Sequence, residues 1–340
     1  MARFYPWGAP HGRSANATMA LVFKRAIPVS LVLVVLAAPG AAAAADTVVA
    51  PGAQAQRLTA LDGTIVWVTG TAPRQRLVQR TAAGIAPVKG APVAAYRSID
   101  LGRDRRNRLV LTYLRCGTGA GCRVYRDDLL GRRASIRGLT RRCEVSSAPA
   151  LWRERIAYGL ACHTGSGRTK RADPRRSGLY VKTRSGSPKR LPRPRDAVRF
   201  GVHHVPWVDL RGTRVAALAA DIYQYAFSQT TGGSRRQSFL AAASEGETTE
   251  HVGGLALGSG SVLWTLVRSE HTGDPSQAVI FRHTGGCLDS EAMVNPRGPD
   301  EATGFRADAL AVDGRTLYLS VPGTGIVAHG FTPDRTCAPG

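Results

Sequence analysis

From residue 47 onward the chain is a succession of short apolar runs, separated by polar and glycine-bearing turns, with no sustained 3.6-residue periodicity. Runs of that length and spacing predict strands rather than helices. The pattern is clearest over 307–331, where 307–312, 316–321 and 326–331 each read as a strand. Asp313-Gly314 and Pro322-Gly323 close the two gaps. In such a turn glycine supplies the positive φ that a tight reversal needs, and aspartate tolerates it.

Imperfect copies of this unit recur back through the chain. They pair 64–68 with 76–81, 108–114 with 123–126, 155–160 with 178–182, 214–218 with 238–242, and 261–266 with 278–282. The anchoring positions Ile65, Leu109, Ile156, Val215, Val262 and Leu317 stand about 50 residues apart, the period of a radial array of small sheets. The predicted fold is all-β, a β-propeller of six four-stranded blades; five or seven blades, or a pair of β-sandwiches, are the alternatives. The run 47–50 has no partner of its own, so it is expected to supply the outer strand of the last blade and close the ring. Asp62 and Asp313 read as turn formers, and Trp67, Trp264 and Tyr318 as core between blades. Residues 201–210 read as the loop and inner strand that open the fourth copy, and 221–227 as an aromatic loop.

The first 45 residues stand apart. Lys24-Arg25, the apolar stretch 27–38 and the alanine run 41–45 before Asp46 have the layout of a signal peptide behind a short extension. The expected division is therefore an extension and signal peptide over 1–45 and a propeller over 46–340, with export to the cell envelope or beyond. An uncleaved anchor is the competing reading, since 27–45 is close to the length of a membrane span. Export makes the six cysteines disulfide candidates. Cys116 and Cys122 flank a short glycine-rich loop between two strand-like runs, which predicts a bridge across a hairpin. Cys143–Cys162 would then join neighbouring strands, and Cys287–Cys337 would tie down the C-terminus by closing a loop of about 50 residues, for about 3–4 kcal/mol.

The stretch 178–191 is similar to the outer part of blades in TolB-like six-bladed propellers: an apolar strand, a glycine-containing turn and a basic-Leu ending. Residues 155–158 and 63–68 look like the preceding strand of such blades. The Ser-Pro-Asp-Gly turn common in those repeats is missing, and Leu61-Asp62-Gly63 and Val312-Asp313-Gly314 are its nearest echoes. The resemblance implies a binding or scaffold role at the cell envelope, with no chemistry shared by all members.

Charge and candidate chemistry sharpen this picture in one place. The chain carries Lys+Arg 46 against Asp+Glu 24, a formal net charge of +22. Basic residues crowd into 168–195: Arg168, Lys170, Arg171, Arg175, Arg176, Lys182, Arg184, Lys189, Arg190, Arg193 and Arg195, with Asp173 the one acid. A solvated loop is one reading of this cluster; a site for phosphate- or carboxylate-bearing envelope polymers or acidic lipid headgroups is the other, with another envelope protein as the alternative partner. Nucleic acid is not the expected partner, because Tyr180 alone is on hand for base stacking. A monomer without cofactor or metal is expected, since no CxxC pair, HExxH, GxSxG, P-loop or dinucleotide fingerprint occurs. The alternative is a propeller enzyme, lactonase-like or lyase-like, with its site in the channel mouth and His203, His204 and Asp209 as candidate acid, base or ligand groups. Three or more Asp, Glu, Asn or His side chains converging in the channel would favour the enzyme, and small or apolar residues the scaffold.

Overall fold

A computed structural model describes residues 46–330, apart from 118–120, 137–138, 140–142, 166–170, 184, 222, 246–247, 272–276, 284–291 and 294–306. Strand β1 (Thr47–Pro51) comes first but does not belong to the first sheet. That sheet is the meander β2 (Arg57–Leu61), β3 (Thr64–Thr69), β4 (Arg76–Thr81) and β5 (Gly84–Pro87). Blade two follows as β6 (Ala95–Arg103), β7 (Leu109–Cys116), β8 (Cys122–Asp127) and β9 (Arg133–Ser135).

Blade three is less regular. Its inner edge is split into β10 (Cys143–Val145) and β11 (Ala150–Trp152), both antiparallel to β12 (Arg155–Thr164). The break falls at Pro149, which has no N–H to give to a ladder. The short β13 (Arg171–Ala172) leans on the end of β12, and β14 (Gly178–Thr183) and β15 (Lys189–Arg190) complete the sheet. A single helical turn, α1 (Arg195–Arg199), leads into blade four: β16 (His204–Arg211), β17 (Arg214–Ala220), β18 (Tyr223–Thr230) and β19 (Gln237–Glu245). Residues 223–227, expected in a loop, are thus the third strand of this blade, and 238–242 its fourth. Tyr225 and Phe227 alternate with Gln224 and Ser228 at period two and bury against the seam with blade three, which is why the aromatic run is strand rather than loop.

Blade five is β20 (Thr248–Leu257), β21 (Leu263–His271), β22 (Gln277–His283) and β23 (Ala292–Met293). The β19–β20 pairing runs blades four and five into one eight-stranded sheet, as the single parallel pair Arg103↔Trp152 runs blades two and three into a ten-stranded one. Blade six is β24 (Ala309–Asp313), β25 (Thr316–Val321) and β26 (Gly325–Gly330), and its fourth, outermost strand is β1. β1 pairs antiparallel with β26 over Thr47↔Ala328 to Pro51↔Gly325, so the ring closes through the N-terminal strand as its apolar run predicts.

The apolar residues collect in six clusters, one in each seam between consecutive blades. Trp67 and Tyr318 meet in the seam between blades six and one, and Trp264 fills the seam between five and six. A four-stranded sheet has two apolar faces and cannot cover either alone, so ring closure is what removes both from water. Side chains also tie inner strands to neighbouring backbones. Leu101 N–H donates to Thr59 Oγ1 at 3.0 Å, Ala148 N–H to Ser98 Oγ at 2.9 Å, and Ser146 Oγ to the Val205 carbonyl at 2.8 Å. Asp313 does more than form a turn: its carboxylate accepts the Gly63 N–H at 2.6 Å across the closing seam. Asp62 occupies the turn with φ 53° and also pairs with Arg103 of the next blade.

Both hairpin-level disulfides form, Cys116–Cys122 across the β7–β8 turn and Cys143–Cys162 between β10 and β12. Cys287 and Cys337 lie outside the described residues. Among the described residues no helix is long and apolar enough to cross a membrane.

Candidate functional site

Two places concentrate polar chemistry: the outer rim of blade three, and the axis of the ring. At the rim, Asp173 organises a turn. Its Oδ1 accepts the N–H groups of Arg175 (3.0 Å) and Arg176 (3.3 Å), and its own N–H donates to the Cys162 carbonyl at 2.8 Å. Ser177, fully buried, accepts the Cys162 N–H at 2.8 Å. The turn 173–177 therefore hangs on the strand that carries the Cys143–Cys162 bridge.

Two guanidinium groups converge on this turn. Arg190 donates Nη1 to the Arg175 carbonyl and Nη2 to the Pro174 carbonyl, each at 2.7 Å. Arg193 donates Nη2 to the same Pro174 oxygen at 3.3 Å and Nη1 to the Val202 carbonyl at 2.7 Å. Burial, and then the charge of Arg190, lowers the Arg193 pKa. Among the described residues, none of Arg171, Arg175, Arg176, Lys189, Arg190, Arg193 or Arg195 forms an ion pair with a carboxylate. Like charges are thus held close together by neutral carbonyl oxygens.

The β18–β19 turn of blade four extends this surface, which the linear sequence does not reveal. Lys189 Nζ reaches the Gly232 carbonyl at 3.3 Å, and Arg236 Nη1 donates to the Arg193 carbonyl at 2.6 Å. Arg171 lies exposed on β13 and Arg195 opens α1. Arg168, Lys170 and Arg184 lie outside the described residues.

On the axis, a cavity of about 40 Å³ lies among the inner strands of blades one, two, four, five and six. That is room for a few water molecules and not for a sugar ring. Its polar lining includes Asp100 on β6 and Asp209 on β16, both buried, with Arg57 and Arg211; most of the rest is small or apolar. Asp209 Oδ2 accepts the Leu257 N–H at 2.7 Å, and Oδ1 lies 3.5 Å from Arg211 Nε. Arg211 reaches across the axis, donating Nη1 to the Leu101 carbonyl and Nη2 to the Ala60 carbonyl, each at 3.1 Å. Its guanidinium stands 5.9 Å over the Trp152 ring. Arg211 ends β16 whereas Arg57 begins β2, so the two arginines mark opposite ends of the channel. Among the described residues, neither Asp100 Oδ2 nor Asp209 Oδ1 has a hydrogen-bond partner. Burial, then the charge of Asp209, raises the Asp100 pKa well above the carboxylate range, with Arg211 opposing.

The two histidines sit above this region rather than in it. His203 Nδ1 lies 2.5 Å from the Gly201 carbonyl oxygen, and His204 starts β16 with its pKa lowered by burial and then by His203. Neither lines the cavity, whereas Asp209 does. The described part of the channel thus brings two carboxylates together, and among the described residues no cluster of His, Cys, Asp or Glu is arranged to hold a metal ion. Asp100, Arg57 and Arg211 carry no motif that sequence reasoning could single out.

No family model matches this sequence, and no curated protein matches it. Solved structures do resemble the fold. Virginiamycin B lyase from Staphylococcus aureus, in a catalytically inactive form with quinupristin, matches at TM-score 0.42 and 11% identity, over 81% of this chain and 80% of that one. The Aleuria aurantia lectin, a six-bladed β-propeller, matches at 0.44 and 11%, over 83% and 95%. A protein of unknown function from Dyadobacter fermentans matches at 0.47 and 12%, over 85% and 98%. The likeness is to β-propellers in general, and no TolB-specific family is shown.

Proposed function

We propose that this is an exported, non-catalytic propeller that binds anionic polymers of the cell envelope through the basic rim of blade three. The observation that carries the reading is the pair Arg190 and Arg193, held on one carbonyl oxygen of Pro174 without a carboxylate partner. Their forks are pre-positioned, so an incoming phosphate or carboxylate gains charge-assisted hydrogen bonds at little cost in side-chain entropy. Arg175, Arg176 and Lys189 extend the same face, and Arg236 carries it onto blade four. Two intact disulfides suit an oxidising compartment.

The test is retention on an immobilised polyanion, such as a teichoic-acid-type polymer. Binding is expected to weaken steeply with added salt and to fall by about tenfold or more when Arg175, Arg176, Arg190 and Arg193 become Ser. Retention unchanged by that variant sinks the reading.

The enzyme reading rests on Asp100 and Asp209. The small volume of their cavity, about 40 Å³, disfavours polymer cleavage there.

A further inference from the structure

The Arg57 end of the channel carries features that the rim site does not use. Arg57 is half-buried at the start of β2, with its guanidinium 5.2 Å over the Trp207 ring. It donates Nε to the Arg97 carbonyl at 3.1 Å and Nη1 to the Gln56 carbonyl at 2.7 Å, while among the described residues Nη2 makes no hydrogen bond and no carboxylate pairs with it. Desolvation, and then the charge of Arg268, lowers its pKa, the mark of a cation lacking a counter-charge. Asp100 lines the same cavity, with an oxygen that has no hydrogen-bond partner among the described residues. A buried polar atom without a partner costs about 1–3 kcal/mol, which a ligand group can offset.

We propose that the Arg57 end of the channel binds a short-chain hydroxy acid, its carboxylate on Arg57 and a hydroxyl against Asp100. The size suits this class, since a cavity of about 40 Å³ lined by Arg57, Trp207 and Asp100 admits only a small polar group. The charge balance suits it as well. Asp209 accepts the Leu257 N–H and lies beside Arg211, whereas among the described residues Asp100 forms no ion pair, and burial raises its pKa. The site therefore presents a guanidinium without a carboxylate partner and a buried carboxyl oxygen without a hydrogen-bond partner among the described residues. It is separate from the rim surface and does not depend on the reading of that surface.

The experiment is isothermal titration of the full exported chain with D-glycerate, using glycerol and propionate as probes that lack the carboxylate and the hydroxyls respectively. Glycerate is expected to bind saturably, and each control to bind more weakly by about tenfold or more. Arg57→Met, which keeps the stem over Trp207, is expected to lose about tenfold or more. Asp100→Asn is expected to stay within about threefold of the parent and Asp100→Val to lose about tenfold, with melting temperatures showing that each variant is folded. The rim variant Arg190→Ser/Arg193→Ser should bind glycerate as the parent does, whatever it does to polyanion retention. Absence of saturable glycerate binding, equal binding of glycerol, or an Arg57→Met variant indistinguishable from the parent overturns the proposal.

Discussion

Arg211 Nη2 donates to the carbonyl oxygen of Ala60 at 3.1 Å, joining blade four to blade one across the axis of the ring. The same guanidinium holds blade two through Leu101 and sits beside the carboxylate of Asp209 in its own strand. One side chain thus ties three blades at the point where no seam can reach.

Removing that tie should be costly for a definite reason. Arg211→Met keeps most of the apolar stem but leaves Asp209 buried with the Leu257 N–H and no cation. The expected loss is about 3–5 kcal/mol, read as a shift in the urea midpoint. Adding Asp209→Asn to the same chain should recover a good part of it, because the uncompensated charge is gone; losses that simply add would mean that the pair is not coupled.

Asp100 predicts a pH dependence of stability. Its folded-state pKa is raised, first by burial and then by Asp209, so the folded chain holds this proton more tightly than the unfolded chain does. Below the unfolded value of about 3.9 both states are protonated and the group contributes nothing. As pH rises above it, the unfolded state gains by ionising and stability falls until the folded pKa is passed. Asp100→Asn removes this term. Its melting temperature should therefore exceed that of the parent by more at pH 8 than at pH 4; an equal offset at both would count against the burial argument.

Gly102 marks a seam where two backbones touch. A Cβ there would stand 2.1 Å from the Leu151 carbonyl oxygen of blade three. Gly102→Ala must push the blades apart, and a loss of about 1–3 kcal/mol or more is expected in chemical denaturation. Gly232→Ala is the matched control: its nearest neighbour is Thr230 Oγ1 at 3.6 Å, and a change within about 0.5 kcal/mol is expected.

The two described disulfides should separate in their effect on the rim. The turn 173–177 is bonded to Cys162 on both sides, so Cys143→Ser/Cys162→Ser should lower polyanion affinity as well as stability, the latter by about 3 kcal/mol. Cys116→Ser/Cys122→Ser, in a hairpin of blade two, should leave retention on the polyanion unchanged.

The fold was largely legible along the chain. Strands show themselves by short apolar runs and glycine-bearing turns, and a period near 50 residues implies sheets that must stack to cover both faces. Ile65, Leu109, Ile156, Val215, Val262 and Leu317 all fall in or at the second strand of a blade. The unpaired run at 47–50 sufficed to predict the closing strand, because an edge left open is a liability. Cys116–Cys122 and Cys143–Cys162 followed from proximity in sequence. The aromatic run 223–227 was harder, since alternating Tyr, Gln and Ala suit a loop or a strand until a neighbouring blade covers one face.

What the sequence determined by itself is therefore local: strand, turn, repeat, and the density of positive charge over 168–195. The tertiary structure alone decided which of those charges converge and what lies on the axis. Arg190 and Arg193 meet because the turn 173–177 folds back on β12, and Asp100 comes to face Asp209 because ring closure brings β6 and β16 to one channel. Strand periodicity sets which face a side chain takes, but the carbonyl that a long arginine reaches across the ring depends on every blade between, as the 151 residues separating Ala60 from Arg211 make plain.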